Sequence, residues 1–284
     1  MGLYKKLLVA FDGSSSSQNA LRQAFRLADD EKCWITVTTV APSYEGDLDL
    51  MVIGNIHEAL RRPGKEILSR ASEIARQESA LIKTVLEEGE AYERIVDLAD
   101  AENCGLIVMG RRGVSHLERA LMGSTTARVI GQSGRDVLVV PQGASIGWKR
   151  ILLATDGSRF SESATSKALD FAAAYGGSLT AVSVVDVPPE IYAEAHNAVD
   201  KLIENAKGFV ESVKSKGQAR PVPVATYVGE GNAYEVIINL ARKETADVII
   251  MGSHGRTGLK RFLMGSVTEK VIGHAPCPVL VVKI

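Results

Sequence analysis

Short apolar runs alternate with longer amphipathic stretches along the whole chain. Buried strands are predicted for the first half at residues 5–11, 34–40, 82–86, 106–109 and 137–140. The stretches between them, such as residues 18–28 and 55–78, repeat apolar residues at helical spacing. The alternation predicts the order β-α-β-α-β-α-β-α-β, which is typical of an α/β fold with a parallel sheet and helices on both faces.

The same order returns in the second half of the chain. Residues 106–141 and 248–283 align without a gap, and 18 of these 36 positions are identical. A repeat of this length indicates a duplicated domain. The sequence therefore predicts one domain at residues 1–143 and a second at residues 148–284, joined by a short linker. Strands of the second domain are predicted at residues 149–155, 178–185, 222–227, 248–251 and 279–282.

Composition narrows the classes of function. The net charge of -1 offers no attraction to nucleic acid or to an anionic membrane, and 5% aromatic residues are too few for a base-stacking platform. The three cysteines, Cys33, Cys104 and Cys277, form no CxxC pair, which favours reduced thiols. The first apolar run ends at Asp12, too early for a signal peptide or a membrane span. We therefore expect a cytoplasmic protein that binds neither nucleic acid nor membrane.

A glycine motif, Gly-x2-Gly-x9-Gly-Ser, follows the fourth strand in each half. Its residues are Gly110, Gly113, Gly123 and Ser124 in the first copy, and Gly252, Gly255, Gly265 and Ser266 in the second. Glycines between a strand and a helix let backbone N–H groups approach a phosphate closely. The alternative is that these glycines serve only the turn, because a duplication also copies purely structural features.

An Asp-Gly-Ser sequence follows the first strand of each half, at Asp12 and at Asp156. Parallel sheets bind ligands at the carboxyl ends of their strands, where the strand order reverses, and strands one and four are candidates to flank that point. A carboxylate would not face a phosphate directly. Asp12 and Asp156 are therefore predicted to hold a metal ion or a ribose hydroxyl, although Asp-Gly-Ser is also a common helix start.

These residues together resemble the universal stress protein family. The resemblance rests on LLVAFDGS and ILLATDGS, on MG-x2-G-x9-GS-x-T, and on the closing VLVV strands. It extends along most of both halves, so the chain is similar to a tandem member. The resemblance implies a five-stranded sheet of order 3-2-1-4-5 in each domain. Members of the family that bind ATP carry this glycine motif. The resemblance therefore also implies ATP or another adenine nucleotide as the ligand, together with Mg²⁺.

The resemblance also implies which residues contact the nucleotide. Asp12 and Asp156 would lie near the ribose and the metal, and the backbones of Val40 and Val184 would contact the adenine. The phosphate loops would be Gly110, Gly113, Gly123, Ser124 and Thr125 in the first domain, and Gly252, Gly255, Gly265, Ser266 and Val267 in the second.

The second copy of the motif lies closer to the family pattern than the first. Arg111 and Arg112 replace Ser253 and His254, and His116 replaces Gly258. The two arginines could strengthen phosphate binding through charge, remain solvated, or fold over the loop and occlude it. His254 could touch a phosphate or remain solvated.

The implied function is that of a stress-response sensor or regulator that binds nucleotide in one or both domains. Two alternatives stay open: a slow ATPase or nucleotide hydrolase, and an interaction scaffold without a ligand. Catalysis is the weaker expectation, because no convincing general base accompanies Asp12 and Asp156. Single domains of the family dimerise through the region of strand five. The strands at residues 137–140 and 279–282 would thus form an internal pseudo-dimer, and further homodimerisation stays open.

Overall fold

The computed structural model describes residues 2–43, 56–113, 122–188, 190, 195–255 and 264–284. The chain divides into two compact units, Met1–Gly143 and Ala144–Ile284. Each unit consists of parallel strands alternating with helices, so the predicted α/β fold class is confirmed.

The first unit builds one parallel sheet with helices between the strands. Its elements are β1 (Lys6–Ala10), α1 (Ser15–Glu31), β2 (Trp34–Ala41), α2 (Ile56–Gln77), β3 (Ile82–Glu88), α3 (Ala91–Ala101), β4 (Leu106–Gly110), α4 (Ser124–Gln132) and β5 (Asp136–Val140). Backbone pairing places these strands in the order β3-β2-β1-β4-β5. Leu8 of β1 lies between Thr36 of β2 and Ile107 of β4. After β3 the chain returns to the other side of β1, where it adds β4 and then β5. The order in which strands are added therefore reverses between β1 and β4.

The second unit repeats this arrangement. Its elements are β6 (Arg150–Ala154), α5 (Arg159–Tyr175), β7 (Ser178–Val185), α6 (His196–Gln218), β8 (Val224–Glu230), α7 (Ala233–Lys243), β9 (Val248–Gly252), α8 (Ser266–His274) and β10 (Val279–Val282). Within the unit the strands lie in the order β8-β7-β6-β9-β10, and all four pairings are parallel.

The core of each unit follows from the apolar strands. Leu7, Leu8 and Val9 of β1 are fully buried, and every residue of β4 and of β9 is buried. Strands covered on both faces need apolar side chains on both faces, which is why these runs show no polar alternation. The central strands are therefore rigid supports for the loops at their carboxyl ends.

The helix after β1 begins earlier than its apolar spacing predicts. Ser14 is the N-cap of α1, and its hydroxyl accepts a hydrogen bond from the Ser17 N–H at 3.2 Å. The helix consequently starts at Ser15 instead of residue 18. Ser158 caps α5 in the same way, accepting from the Ser161 N–H at 3.3 Å. Serines in a first turn carry no apolar period, so only their capping chemistry marks this start.

The thiols behave as expected for reduced cysteines. All three are free of disulfides, and Cys104 and Cys277 are buried. Burial raises the pKa of the Cys277 thiol to about 12, which favours an inert packed side chain. Within the described ranges, no helix combines the length and the apolar character needed to cross a lipid bilayer.

Candidate functional site

The two sequence motifs of each half meet at the carboxyl end of its sheet, because β1 neighbours β4 and β6 neighbours β9. A Cβ atom placed on Gly113 would lie 2.6 Å from Asp12 Oδ2. A Cβ atom on Gly255 would lie 2.8 Å from Asp156 Oδ2. The glycine loop and the aspartate are therefore in contact in both units, although about a hundred residues separate them along the chain.

A cavity of about 280 Å³ opens at this point in the first unit, and we call it the first cavity. Its lining includes all seven residues predicted for the first site, Asp12, Val40, Gly110, Gly113, Gly123, Ser124 and Thr125. The second unit has a larger counterpart of about 450 Å³, the second cavity. Its lining includes the seven matching residues, Asp156, Val184, Gly252, Gly255, Gly265, Ser266 and Val267.

Each aspartate shapes the turn that it begins. Asp12 Oδ1 accepts the Ser14 N–H at 3.0 Å, and Asp156 Oδ1 accepts the Ser158 N–H at 3.0 Å. The glycine between each aspartate and serine, Gly13 or Gly157, adopts a left-handed conformation with φ of 79° or 75°. Such a conformation favours glycine. One carboxylate oxygen thus holds the helix start, while the other lies against the glycine loop. The structural role and the ligand role proposed for this residue are therefore compatible.

Hydrogen bonds close the glycine loop at its base. In the second unit the Gly265 N–H donates to Ser253 O at 3.0 Å, and Thr268 Oγ1 donates to Gly252 O at 3.1 Å. The first unit repeats both bonds through Gly123 and Thr126, at 2.9 and 3.2 Å. These bonds fix where α4 and α8 begin relative to the strand ends. Residues 114–121 and 256–263, with His116 and Gly258 among them, lie outside the described residues.

The first motif glycine in each loop is required by close packing. A Cβ atom on Gly110 would lie 2.8 Å from the Ser17 backbone nitrogen, and one on Gly252 would lie 2.8 Å from the Phe160 backbone. The first turn of α1 therefore touches the end of β4, and the first turn of α5 touches the end of β9. The middle glycines, Gly113 and Gly255, leave room for the aspartates. Packing thus requires glycine at Gly110 and Gly252, whereas a Cβ atom on Gly113 or Gly255 would meet only the far end of the aspartate side chain.

The third glycine has no such structural reason. Gly123 has φ −66° and ψ 142°, and Gly265 has φ −62° and ψ 140°, which are extended conformations open to most residues. Among the described residues, a Cβ atom would meet its nearest neighbour at 3.7 Å on Gly123 and at 3.5 Å on Gly265, both ordinary contacts. These glycines are the N-caps of α4 and α8, and neither provides a side-chain cap. Serine or aspartate would stabilise the helix better at this position.

Backbone groups of β2 and β7 also face the cavities. Val182 O accepts the Thr155 N–H at 2.9 Å, so the Val182 carbonyl points toward β6. Backbone groups alternate along a strand, so the N–H and C=O of Val184 point the same way. The pairing of β6 with β7 stops at Val182, which leaves Val184 beside the second cavity. Val40 occupies the equivalent position in the first unit. Thr38 O accepts the Phe11 N–H at 2.8 Å, and the backbone groups of Val40, two residues further along β2, point the same way.

His254 distinguishes the second cavity. Its Nδ1 lies 3.0 Å from Ser253 Oγ, and its ring lies 5.0 Å from the Phe160 ring. Its Nε2 is buried, and no described residue forms a hydrogen bond with it. A buried polar atom in this position requires an explanation, and His254 lines the cavity. The structure therefore places beside the glycine loop a nitrogen that lacks a partner within the described part of the chain.

Arginine replaces this histidine in the first unit. Arg112 lines the first cavity and is exposed, while Arg111 is half-buried. Burial, and then the positive charge of Arg112, lower the pKa of Arg111. The exposure of Arg112 fits a solvated cation at the cavity opening.

Several lining residues carry no signal in the sequence. Leu202, Ala206 and Phe209 of α6 line the second cavity, and Ala233 and Ile237 of α7 do so from another side. An apolar residue on an amphipathic helix has the same pattern whether it faces the core or a cavity. Thr126 and Thr268 are different, because a threonine three residues after the last glycine is present in both copies.

A metal ion would find few protein ligands here. Across the part of the chain that the structure describes, no group of three or more His, Cys, Asp and Glu side chains could hold one. Asp12 and Asp156 each bring one carboxylate to their cavity. This donor set suits Mg²⁺ only where a phosphate-bearing ligand supplies further oxygens.

Comparison with known proteins gives a consistent result. The model of the universal stress protein family matches residues 3–141 and again residues 147–283. A universal stress protein from Mycolicibacterium smegmatis is 28% identical over 295 residues, which cover 98% of this chain and 96% of that protein. One from Methanocaldococcus jannaschii is 38% identical over 140 residues, covering 48% of this chain and 82% of that protein.

The fold is likewise similar to a solved structure. A universal stress protein from Archaeoglobus fulgidus superposes with a TM-score of 0.72 at 21% sequence identity. The match covers 98% of this chain and 96% of that one. At this identity the likeness concerns the fold.

Proposed function

Because the chain belongs to the universal stress protein family, we propose that it is a stress-response regulator that binds an adenine nucleotide, with ATP as the first candidate. The proposed sites are the first and second cavities. The observation that carries the proposal is the pair Gly123 and Gly265, which stand at helix starts where neither the backbone conformation nor packing against the described residues requires glycine.

The phosphates would lie at these helix starts. The first N–H groups of an α-helix have no partner within the helix, and the helix dipole favours an anion there. Glycine at the N-cap leaves those groups without a side-chain cap and open to a ligand oxygen. The hydroxyl of Ser124 or Ser266, which begins each helix, adds a donor. In the second cavity, His254 Nε2 would gain the partner that it lacks among the described residues.

The base and the sugar would lie deeper along the sheet. The Val184 backbone offers one donor and one acceptor, which matches an adenine edge. Asp156 would accept a hydrogen bond from a ribose hydroxyl or hold Mg²⁺ together with phosphate oxygens. Val40 and Asp12 would take these roles in the first cavity. When bound, Mg²⁺ would neutralise phosphate charge.

The second cavity is the stronger of the two proposed sites. It is larger, about 450 against 280 Å³, and Phe209 and Leu202 add apolar surface for a base. Ligand cavities combine such apolar walls with a few well-placed polar groups. We propose that this cavity holds nucleotide more tightly than the first.

The test uses the full-length chain and two matched variants. Nucleotide released from the denatured, purified protein is identified by mass spectrometry, and binding of Mg-ATP is measured by calorimetry and thermal shift. Two sites are expected. Gly265→Val should weaken the tighter site by about a hundredfold or more, because the side chain would occupy the phosphate position. Gly123→Val should do the same to the weaker site.

The outcomes separate binding from catalysis. Phosphate release is recorded in the same samples, and the proposal expects occupancy without comparable turnover. Turnover that falls with Asp156→Asn would favour a hydrolase instead. Absence of nucleotide from the purified protein, together with no shift of the melting temperature by Mg-ATP, would overturn the proposed function.

A further inference from the structure

A second concave surface of the first unit lies at the opposite end of its strands. It has a volume of about 690 Å³ and is formed where β1, β2 and β3 begin and α3 ends. We call it the amino-end groove and define it by Lys5, Lys6, Trp34, Leu81, Lys83 and Glu102. None of these residues belongs to the proposed nucleotide sites.

Two large apolar side chains of the groove are exposed. Trp34 is 71% exposed and Leu81 is 82% exposed, the highest values for large apolar side chains among the described residues. The residues that follow them in the chain, Ile35 and Ile82, also line the groove. Tryptophan is the residue type most enriched at the energetic centres of protein interfaces. An apolar pair inside a charged rim marks a surface that binds a partner.

The rim of the groove carries a surplus of positive charge. Three lysines line it against one carboxylate, that of Glu102. Glu102 pairs with both Lys6 and Lys83, the latter at 2.7 Å from Nζ to Oε1. Hydrogen bonds from these two lysines hold the pKa of Glu102 at about 2, so the carboxylate stays charged near neutral pH. The groove therefore keeps an excess of two positive charges beside its apolar pair.

The second unit provides a matched surface without these features. Ser178 occupies the position of Trp34, because its N–H donates to Lys149 O as the Trp34 N–H donates to Lys5 O. By strand register, Pro223 and Ala225 correspond to Leu81 and Lys83. The second unit thus carries small or polar residues at the positions equivalent to Trp34, Leu81 and Lys83. The fold does not require the tryptophan, the leucine or the third lysine.

We propose that the amino-end groove binds an acidic segment of another protein, one that places carboxylates on both sides of a bulky apolar side chain. The apolar side chain would pack between Trp34 and Leu81, and the carboxylates would pair with the lysines. A second copy of this chain fits poorly, because a two-fold contact would bring like charges together. A single-stranded nucleic acid also fits poorly, because Leu81 offers no ring for stacking and Glu102 would repel phosphates.

The experiment uses the full-length protein and a defined probe. The probe is a rhodamine-labelled peptide of sequence Glu-Asp-Phe-Leu-Asp-Glu, and its binding is followed by anisotropy. Trp34→Ser, which introduces the residue of the second unit, should weaken binding at least about tenfold, and Lys83→Glu should weaken it by a similar factor. Tyr227→Ser removes an exposed aromatic residue of β8 and should leave binding unchanged.

A second readout comes from the protein itself. The chain has two tryptophans, and Trp148 is buried, so acrylamide quenching reports mainly on Trp34. Peptide should reduce that quenching, and added salt should restore it. No binding of the probe, equal binding of a Lys-Lys-Phe-Leu-Lys-Lys peptide, or binding unaffected by Trp34→Ser would each overturn the proposal. So would preferential binding of a labelled oligonucleotide, or protection of Trp34 by self-association measured in sedimentation.

Discussion

The two units share a backbone plan but differ in the residues placed on it. Both keep the aspartate, the three glycines and the loop-closing threonine in the same geometry. The second unit adds a histidine with a buried Nε2 and apolar residues of α6 to its cavity, whereas the first presents an exposed arginine. The shared residues are largely those that shape the loop. Differences in ligand preference would therefore arise from the residues around it.

The amino ends of the units differ as well. Tyr4 donates a hydrogen bond from its hydroxyl to the buried Asp136 at 2.7 Å. In the second unit Trp148 stacks on Phe171, with ring centroids 3.7 Å apart. A residue shortly before the first strand is thus held by a hydrogen bond in the first unit and by an aromatic stack in the second. Equivalent positions of a duplicated fold can be stabilised by different physical means.

The largest expected effect on stability separates the two kinds of motif glycine. Gly252→Ala should lower the free energy of unfolding by about 1–3 kcal/mol, because the new Cβ atom would press against the Phe160 backbone. Gly265→Ser should leave stability unchanged or raise it by a few tenths to about 1 kcal/mol, because serine can cap α8. Urea denaturation of both variants measures the contrast. Equal losses would show that Gly265 is also a packing residue.

A smaller effect is expected from the residues that differ between the cavities, His254 in the second and Arg112 in the first. His254→Phe keeps an aromatic ring but removes both nitrogens, and it should weaken nucleotide binding in the second unit by about tenfold. Arg112→Ala should weaken binding in the first unit by no more than about threefold, because exposed charge pairs contribute little. Calorimetry in the Gly123→Val and Gly265→Val backgrounds isolates each site. A larger loss of affinity in Arg112→Ala than in His254→Phe would make the exposed arginine the more important nucleotide contact.

The smallest expected effect concerns the amino ends. Tyr4→Phe should lower the free energy of unfolding by about 1 kcal/mol at neutral pH, because Asp136 loses a buried donor. Burial and the charge of Asp136 raise the pKa of Tyr4 well above 10.0. The folded state thus favours neutral Tyr4, so its contribution is present below pH 10 and is lost as pH rises further.

Alkaline denaturation checks the last prediction. The wild-type chain should lose stability above pH 10 more steeply than Tyr4→Phe does. Trp148→Phe provides the control, because tryptophan does not titrate and its replacement should not change the slope. Identical slopes for wild type and Tyr4→Phe would mean that the hydroxyl of Tyr4 is not protected in the folded state.

Much of the candidate site follows from local sequence because it is built from turns. The turn at Asp12-Gly13-Ser14 and the glycines after β4 have backbone requirements that leave a mark on residue type. Phe209 and Leu202 leave no comparable mark, because a helix presents the same apolar spacing to a cavity and to a core. The apolar spacing predicts a start of α1 that is three residues too late for a related reason. The serines of its first turn have no apolar period.

The duplicated α/β fold and the residues of the glycine loops follow from the sequence, because strand length, helical spacing and glycine requirements are local properties. Long-range packing decided which glycines are required, since a Cβ atom on Gly252 would press against a helix about ninety residues earlier in the chain, whereas one on Gly265 would make only ordinary contacts with the described residues. It also decided that His254 Nε2 is buried and that Trp34 and Leu81 share one groove. Contacts between distant segments depend on the packing of whole elements, and residue type at one position does not encode them.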